Sequence, residues 1–236
     1  MKNVAATVAD CIRHNHTLTM YLPRHFEETR TEVLHQLVRQ HPLATLVHLG
    51  PHGLEANHVP LQLHSEPGQP LVLRGHVARA NALWRDADLS VPVLAVFQGP
   101  QHYISPNWYA SKAEGGKVVP TWNYAVVHAK GLLRIRDDAA WVRAQMQALT
   151  TLQEAPLPHP WAVEDAPADY TARLLQAVVG LELVVDSLQG KWKVSQNQSV
   201  ANQASVQQAL QSDGGAATAD MAALVQGYGG RNGPGV

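Results

Sequence analysis

Extended segments follow one another along this chain without a helix between each pair, and that ordering constrains the fold more than any single motif. Leu43 to Leu49 is a short apolar run. Glu55 to Leu63 then alternates, placing Val59, Leu61 and Leu63 on one face and His58, Pro60 and Gln62 on the other. Leu71 to Gly75, Pro92 to Gln98, Thr121 to Arg136 and Leu181 to Asp186 are further strand candidates. Helical patterns are fewer. Thr29-Arg30-Thr31-Glu32 has the form of a capping box ahead of Val33, Leu34, Leu37 and Val38, predicting a helix that ends by His41-Pro42. Others are expected at Arg79 to Ala87, at Asp137 to Gln153 behind an Asp cap, at Pro167 to Val179, and at Gln198 to Leu210. A doubly wound parallel sheet needs strict strand and helix alternation, so the pattern points to an antiparallel barrel or sandwich with peripheral helices.

Apolar residues are 45% of the chain, enough for a core, and 18 basic against 19 acidic residues leave a formal net charge of −1. Nucleic acid or anionic lipid would therefore have to be met by a local patch. The single cysteine, Cys11, excludes an intramolecular disulfide framework and multi-cysteine metal sites. The charge-free run Leu89 to Ser111 is interrupted by Pro92, Gly99, Pro100 and Pro106 and does not read as a membrane span. Residues 1–19 lack the layout of a signal peptide, and the chain is expected to be cytoplasmic. The fold is expected to begin near Met20 after an N-terminal extension, 1–19. A main domain over 20–212 precedes a flexible Gly/Ala-rich tail, 213–236.

Thirteen histidines include no His-Glu-x-x-His and only one His-x-His, His14 and His16, inside the extension. No nucleophile elbow or Walker loop occurs. Three segments carry chemistry instead. In Leu71 to Asp86 a strand runs into a short helix with Arg79 at its positive end and Asp86 and Asp88 at its negative end, against the macrodipole. A phosphate at the helix start would reverse that sign, with Arg74 and Arg79 as cations and Gly75 permitting close approach. Pairing of both arginines with acids elsewhere is the competing reading. Tyr103 to Tyr109 and Pro120 to His128 concentrate aromatic groups suited to an interface, a flat ring or a small aromatic core. Gly190-Lys191-Trp192-Lys193-Val194-Ser195-Gln196-Asn197 places amide and hydroxyl groups beside two cations.

In order, Met20-Tyr21-Leu22-Pro23, Asn57-His58-Val59-Pro60, Leu73 to Asn81, Phe97-Gln98-Gly99-Pro100 with Tyr103-Ile104-Ser105-Pro106, Pro120 to Tyr124 through His128, and Lys193 to Asn197 resemble the PaiB family of FMN-binding transcriptional regulators. The likeness covers about residues 20 to 212. It implies an α+β fold, a six-stranded antiparallel split β-barrel of the pyridoxamine-phosphate-oxidase-like kind with peripheral helices. It also implies a homodimer with FMN where two subunits meet, and no membrane partner. By motif position, Arg79 with Arg74 and His76 would hold the phosphate, and the helix near Ala80-Asn81 would present N–H groups. Asn57 and His58 would border the ring, while Trp122, Asn123, Lys193, Ser195, Gln196 and Asn197 would close the site from the partner. Two departures stand out. The extension has no family counterpart, and Gln198 replaces an arginine common after Ser-Gln-Asn, leaving Lys191 and Lys193 as substitute cations.

The resemblance implies a negative transcriptional regulator using FMN as sensor or structural ligand, with DNA contact implied by the family alone. The chain shows no clear recognition-helix pattern. The alternative is an FMN-dependent oxidoreductase of the pyridoxamine-phosphate-oxidase or flavin-reductase type, with Lys193 or Asn123 as donor to the ring. Haem binding through a histidine is a third.

Overall fold

A computed structural model describes residues 20–229. The expected N-terminal extension lies outside the described residues. Eight strands form one antiparallel sheet: β1 Glu27–Glu28, β2 Leu43–Gly50, β3 Gly53–Pro60, β4 Gln62–His64, β5 Val72–Ala78, β6 Val93–Ile104, β7 Thr121–Arg136 and β8 Val178–Lys193. Their order is β3-β2-β6-β7-β8-β5-β4, with β1 on β8.

The path ends on β3 and β4, and those two strands are one stretch of chain interrupted only at Leu61. The sheet therefore closes on itself. β3 pairs with β2 from Gly53 to Pro60; Pro60 has no N–H to give, Leu61 N–H bonds to Pro42 O instead, and β4 continues on the far edge against β5. Closure brings backbones together at Gly75, where a Cβ would stand 2.5 Å from Pro60 O. Six strands are long and two short, so the expected six-stranded barrel is corrected to eight by the partner change after Pro60 and by the two-residue β1.

Six α-helices lie around the barrel: α1 Thr31–Gln40, α2 Leu83–Asp86, α3 Ala139–Glu154, α4 Ala168–Gln176, α5 Val200–Asp213 and α6 Ala216–Tyr228. Alternation along each strand sends Leu46, Val59, Leu73, Phe97, Val127, Leu181 and Leu183 into one core. Asp138 caps α3 by accepting from Trp141 N–H, as its sequence predicts. The Thr29 capping box does not form. Glu28 Oε1 takes Arg30 N–H at 2.8 Å, and α1 starts at Thr31 behind Arg30.

The expected flexible tail, 213–236, is corrected over its described part, and 230–236 lie outside the described residues. Residues 216–228 form α6, which buries Met221, Ala222 and Val225 in the core. Its glycines cluster at its ends, leaving an Ala/Leu/Val-rich interior with high helix propensity. Tyr228 then fastens the helix: its hydroxyl donates to Glu28 and accepts from Arg30 Nη2 at 2.7 Å, and its ring stacks on Trp192. Hydrogen bonds hold the buried Glu28 carboxyl at a pKa of about 2, outweighing the burial that would raise it; Arg30 and Tyr228 are the donors. Among the described residues no helix is long and apolar enough to cross a membrane.

Candidate functional site

The strand and turn from Leu73 to Asn81 are positioned by the β5 and β8 ladder, in which Arg74 pairs with Glu182, His76 with Gly180 and Ala78 with Val178. Leu73 and Val77 point inward, so Arg74 and His76 lie on the outer face, beneath α3. There Arg74 Nε donates to Glu182 Oε2 at 3.0 Å, and Arg136 Nη2 donates to Glu182 Oε1 at 2.5 Å. Burial would raise the Glu182 carboxyl, but the hydrogen bonds from Arg136 and Arg74 outweigh it and hold the pKa below the usual carboxylate value. The Arg74 guanidinium also lies 5.9 Å from the Trp141 ring of α3. His76 Nδ1 donates to the Gln145 side-chain oxygen at 2.7 Å. Both residues thus fasten the outer face of β5 to its neighbours, Arg74 to β8 and the Trp141 ring and His76 to α3.

Arg79 stands beyond the end of β5. It donates to both Asp137 oxygens, to Gln176 O at 2.7 Å and to Val178 O at 3.2 Å. Its bond lowers the Asp137 pKa, and the carboxylate raises that of Arg79. A cleft of about 330 Å³ opens beside the pair, lined also by Asp138, Val142 and Leu175. The expected helix start near Ala80-Asn81 is corrected as well. α2 begins at Leu83, and Asn81 Oδ1 accepts the Leu83 N–H at 2.9 Å. Asn81 Nδ2 donates to Asn57 Oδ1 at 2.8 Å, and Asn57 Nδ2 donates to His48 Nε2 at 3.3 Å. Sequence reasoning named Asn57 and Asn81 and missed His48. His48 is buried, and its Nδ1 has no partner among the described residues. His58, on the other face of β3, is exposed.

The remaining candidates gather where β7 begins and β8 ends. Asn123 Nδ2 donates to Ser195 Oγ at 2.9 Å, with both residues buried. Ser195 holds φ at 68°, a left-handed conformation uncommon outside glycine. Gln196 folds back on its own strand, accepting Val194 N–H at 2.7 Å and donating to Trp192 O. Lys193 Nζ donates to Trp122 O at 2.8 Å and to Thr121 Oγ1. Asn197 is exposed, and Trp122, 54% exposed, meets Tyr103 edge to face with centroids 6.0 Å apart.

Register fixes how far apart the two groups are. Arg136 pairs with Gly180 at one end of the β7 and β8 ribbon, beside Arg79, and Tyr124 pairs with Lys193 at the other. Thirteen residue steps along β8 separate Gly180 from Lys193, roughly 40 Å of strand contour at about 3.3 Å per residue. A single chain therefore presents the two halves at opposite ends of its longest strands.

A closed antiparallel barrel with outer helices, a cationic turn after one strand and an aromatic and amide-rich end on another defines a flavin-binding split-barrel protein. The family model described as "Putative FMN-binding domain" matches residues 20–187, and the chain belongs to this PaiB-like FMN-binding family. It is 33% identical over 212 residues to the protein AN0679 of Emericella nidulans, covering 75% of this chain and 84% of that one. It is 28% identical over 209 residues to protease synthase and sporulation protein PAI 2 of Bacillus subtilis, covering 88% of this chain and 97% of that one. In fold it is similar to the flavocytochrome Anf3 of Azotobacter vinelandii, with a TM-score of 0.50, 12% identity and 72% of each chain covered.

The residues present fit a flavin in part. The cleft beside Arg79, about 330 Å³, is at the lower end of the roughly 300–1,000 Å³ of small-molecule sites. Exposed aromatic rings and buried amide and hydroxyl groups gather at the far end of the ribbon.

Proposed function

We propose that the protein is a homodimeric flavoprotein that holds FMN between two copies and acts as a negative regulator of transcription, with FMN as its sensing or structural ligand. The observation that carries this reading is the separation of the two half-sites along β7 and β8. A two-fold axis presents the same surface twice, so the end bearing Trp122, Asn123, Lys193 and Ser195 to Asn197 on one copy can meet the Arg79 end of the other. In this arrangement Arg79 takes the phosphate, Asn57 and Asn81 brace the turn that carries it, and His58 borders the ring. Arg74 and His76 support the strand from behind. FMN, when bound, supplies one- and two-electron redox chemistry. Of the acids near the Arg79 end, Asp137 and Glu182 are committed to arginines and Asp138 caps α3 through Trp141 N–H, which favours binding over acid-base catalysis. The regulatory role rests on the resemblance to the PaiB family alone.

A second reading, an FMN-dependent oxidoreductase, is favoured by the cationic face at Lys191 and Lys193, which suits a ring that gains negative charge on reduction. One experiment addresses the site and the choice. Protein stripped of flavin is titrated with FMN and with riboflavin, as wild type and as Arg79→Ala. The proposal expects at least a tenfold weaker FMN complex for Arg79→Ala and little change for riboflavin; an equal loss of both refutes it. The loaded protein is then given NADH or NADPH and, separately, promoter DNA at increasing salt. Turnover selects the oxidoreductase, and salt-sensitive retention without turnover selects the regulator.

A further inference from the structure

A buried histidine stands behind the turn that carries Arg79. Alternation on β2 sends Ala44, Leu46 and His48 inward, and Glu55 and Asn57, in step with the buried Val59 on β3, pair with His48 and Leu46. The His48 side chain has no exposed surface. Its Nε2 lies between two groups, Asn57 Nδ2 at 3.3 Å and Glu55 Oε2 at 3.9 Å, while Nδ1 has no partner among the described residues.

The direction of every bond in this chain follows from one backbone group. Leu83 N–H can only donate, so the Asn81 atom 2.9 Å from it is the oxygen. Asn81 therefore turns Nδ2 to Asn57, which answers with Oδ1 at 2.8 Å and in turn aims its own Nδ2 at His48. Nε2 must then be a bare acceptor, and the neutral ring carries its proton on Nδ1. A buried Nδ1–H without a partner is unfavourable, and the amide chain imposes it. The chain also reaches Arg79. α2 starts at Leu83, and Trp84 Nε1 of that helix donates to Arg79 O at 2.9 Å.

Protonation would put a hydrogen on Nε2 and set two donors against each other at Asn57. Glu55, whose side chain is 39% exposed, is within ion-pair reach of the same nitrogen and would take that hydrogen. Among the described residues no other acid pairs with His48. Asp88, whose N–H bonds to Leu49 O on the same strand, spends its carboxylate on Ser90 N–H and Oγ. The cations of the turn, Arg79 and Arg85, lie over the Trp84 ring.

We infer that His48 is a positioning residue for the Arg79 turn and makes it sensitive to protons. Neutral, as the Nδ1–H form, His48 locks the turn through Asn57, Asn81 and α2; protonated, it passes to Glu55 and releases it, so FMN affinity falls in acid by a step that belongs to His48. The link to FMN rests on the reading that Arg79 takes the phosphate.

The test uses the full-length protein as wild type, His48→Gln and Glu55→Gln. Glutamine at 48 keeps an oxygen that can accept from Asn57 and does not titrate. FMN affinity is measured by fluorescence from about pH 8 to about pH 5, the range in which histidines change charge. The second ionisation of the phosphate, near pH 6, is common to all three proteins and cancels when their profiles are divided. On going to acid, wild type should lose about fivefold or more in affinity relative to His48→Gln, the worth of one hydrogen bond. Glu55→Gln should move that loss to lower pH, because the imidazolium loses its counter-charge. Without flavin, the His48 nitrogen shifts should report the Nδ1–H form at neutral pH, and Leu83 amide protection should fall in acid in wild type but not in His48→Gln. An Nε2–H ring at neutral pH, or the same profile in wild type and His48→Gln, overturns the inference. If His48→Gln does not fold, the wild-type ring shifts and Leu83 protection decide it with the Glu55→Gln profile. Wild-type protein that takes up no FMN overturns the reading beneath, and the ring form with Leu83 protection still decides whether His48 holds the turn.

Discussion

Replacing Glu182 with glutamine keeps the shape of the side chain and removes the charge that ties three strands and α3 together. The carboxylate is almost fully buried and accepts from Arg74 on β5 and Arg136 on β7, with Arg134 at 4.0 Å. Arg136 and Arg74 donate to different carboxylate oxygens, and glutamine offers only one, so one charge-assisted bond of about 1.5–3 kcal/mol is lost before screening while the other arginine keeps a carbonyl acceptor. The Arg74 and Arg136 side chains are 36% and 39% exposed, so the loss reduces to about 1–2 kcal/mol. For a chain of this length that lowers Tm by about 2–8 °C, read by thermal melts in parallel buffers. The pH dependence has a definite sign. The Glu182 pKa is depressed in the folded state, so its contribution is complete above the ordinary value of 4.5 and fades as pH falls through the folded value. Wild type and Glu182→Gln should therefore differ at pH 7 and converge in acid. Equal melts at pH 7, or a gap that persists undiminished in acid, would refute the reasoning. FMN affinity should not rise in Glu182→Gln, since freeing Arg74 beneath α3 creates no phosphate seat.

Asp137→Asn removes the carboxylate that occupies Arg79 and should tighten FMN several-fold with riboflavin unchanged, by fluorescence titration; weaker FMN binding would count against Arg79 as the phosphate ligand. Gly75→Ala places a methyl group 2.5 Å from Pro60 O at the barrel closure and should cost about 2 kcal/mol or more, seen as a lower urea midpoint. Tyr228→Phe removes the hydroxyl that joins α6 to Glu28 and Arg30 and should speed amide exchange in residues 216–228 before the barrel responds. Because Glu28 is held near pKa 2, wild-type α6 should stay docked from neutral pH to well below pH 4.5 and loosen only as pH approaches 2.

Local patterns in the sequence carry much of the barrel. Alternation placed Val59 and Leu61 in the core, β7 spans Thr121–Arg136 as its composition predicts, and the Asp138 cap locates α3. What sequence does not display is pairing at long range. Asp137 reaches Arg79 across 58 positions and Glu182 reaches Arg74 across 108, so the choice between a phosphate seat and structural ion pairs could not be made from local charge order. The continuation of β8 through Lys193 was hidden because Ser187 to Gly190 lack alternation; the ladder to β7, with a bulge at Lys130/Gly131, carries the strand past them. α6 was masked by its terminal glycines, although Ala216 to Val225 holds the propensity that forms it. The residues of the far half-site were legible as a set only through family resemblance, since Asn123 and Ser195 lie 72 positions apart.

Subunit complementation tests the shared flavin site most directly. Arg79→Ala removes one half-site, and Trp122→Glu, an exposed position, places a like charge in the other. Each variant alone should bind FMN weakly. Mixed and re-equilibrated, they should regain tight binding at about one quarter of the wild-type sites, because half the dimers are mixed and each mixed dimer has one intact site. No recovery on mixing, with both variants folded and dimeric, would contradict a site built from two chains.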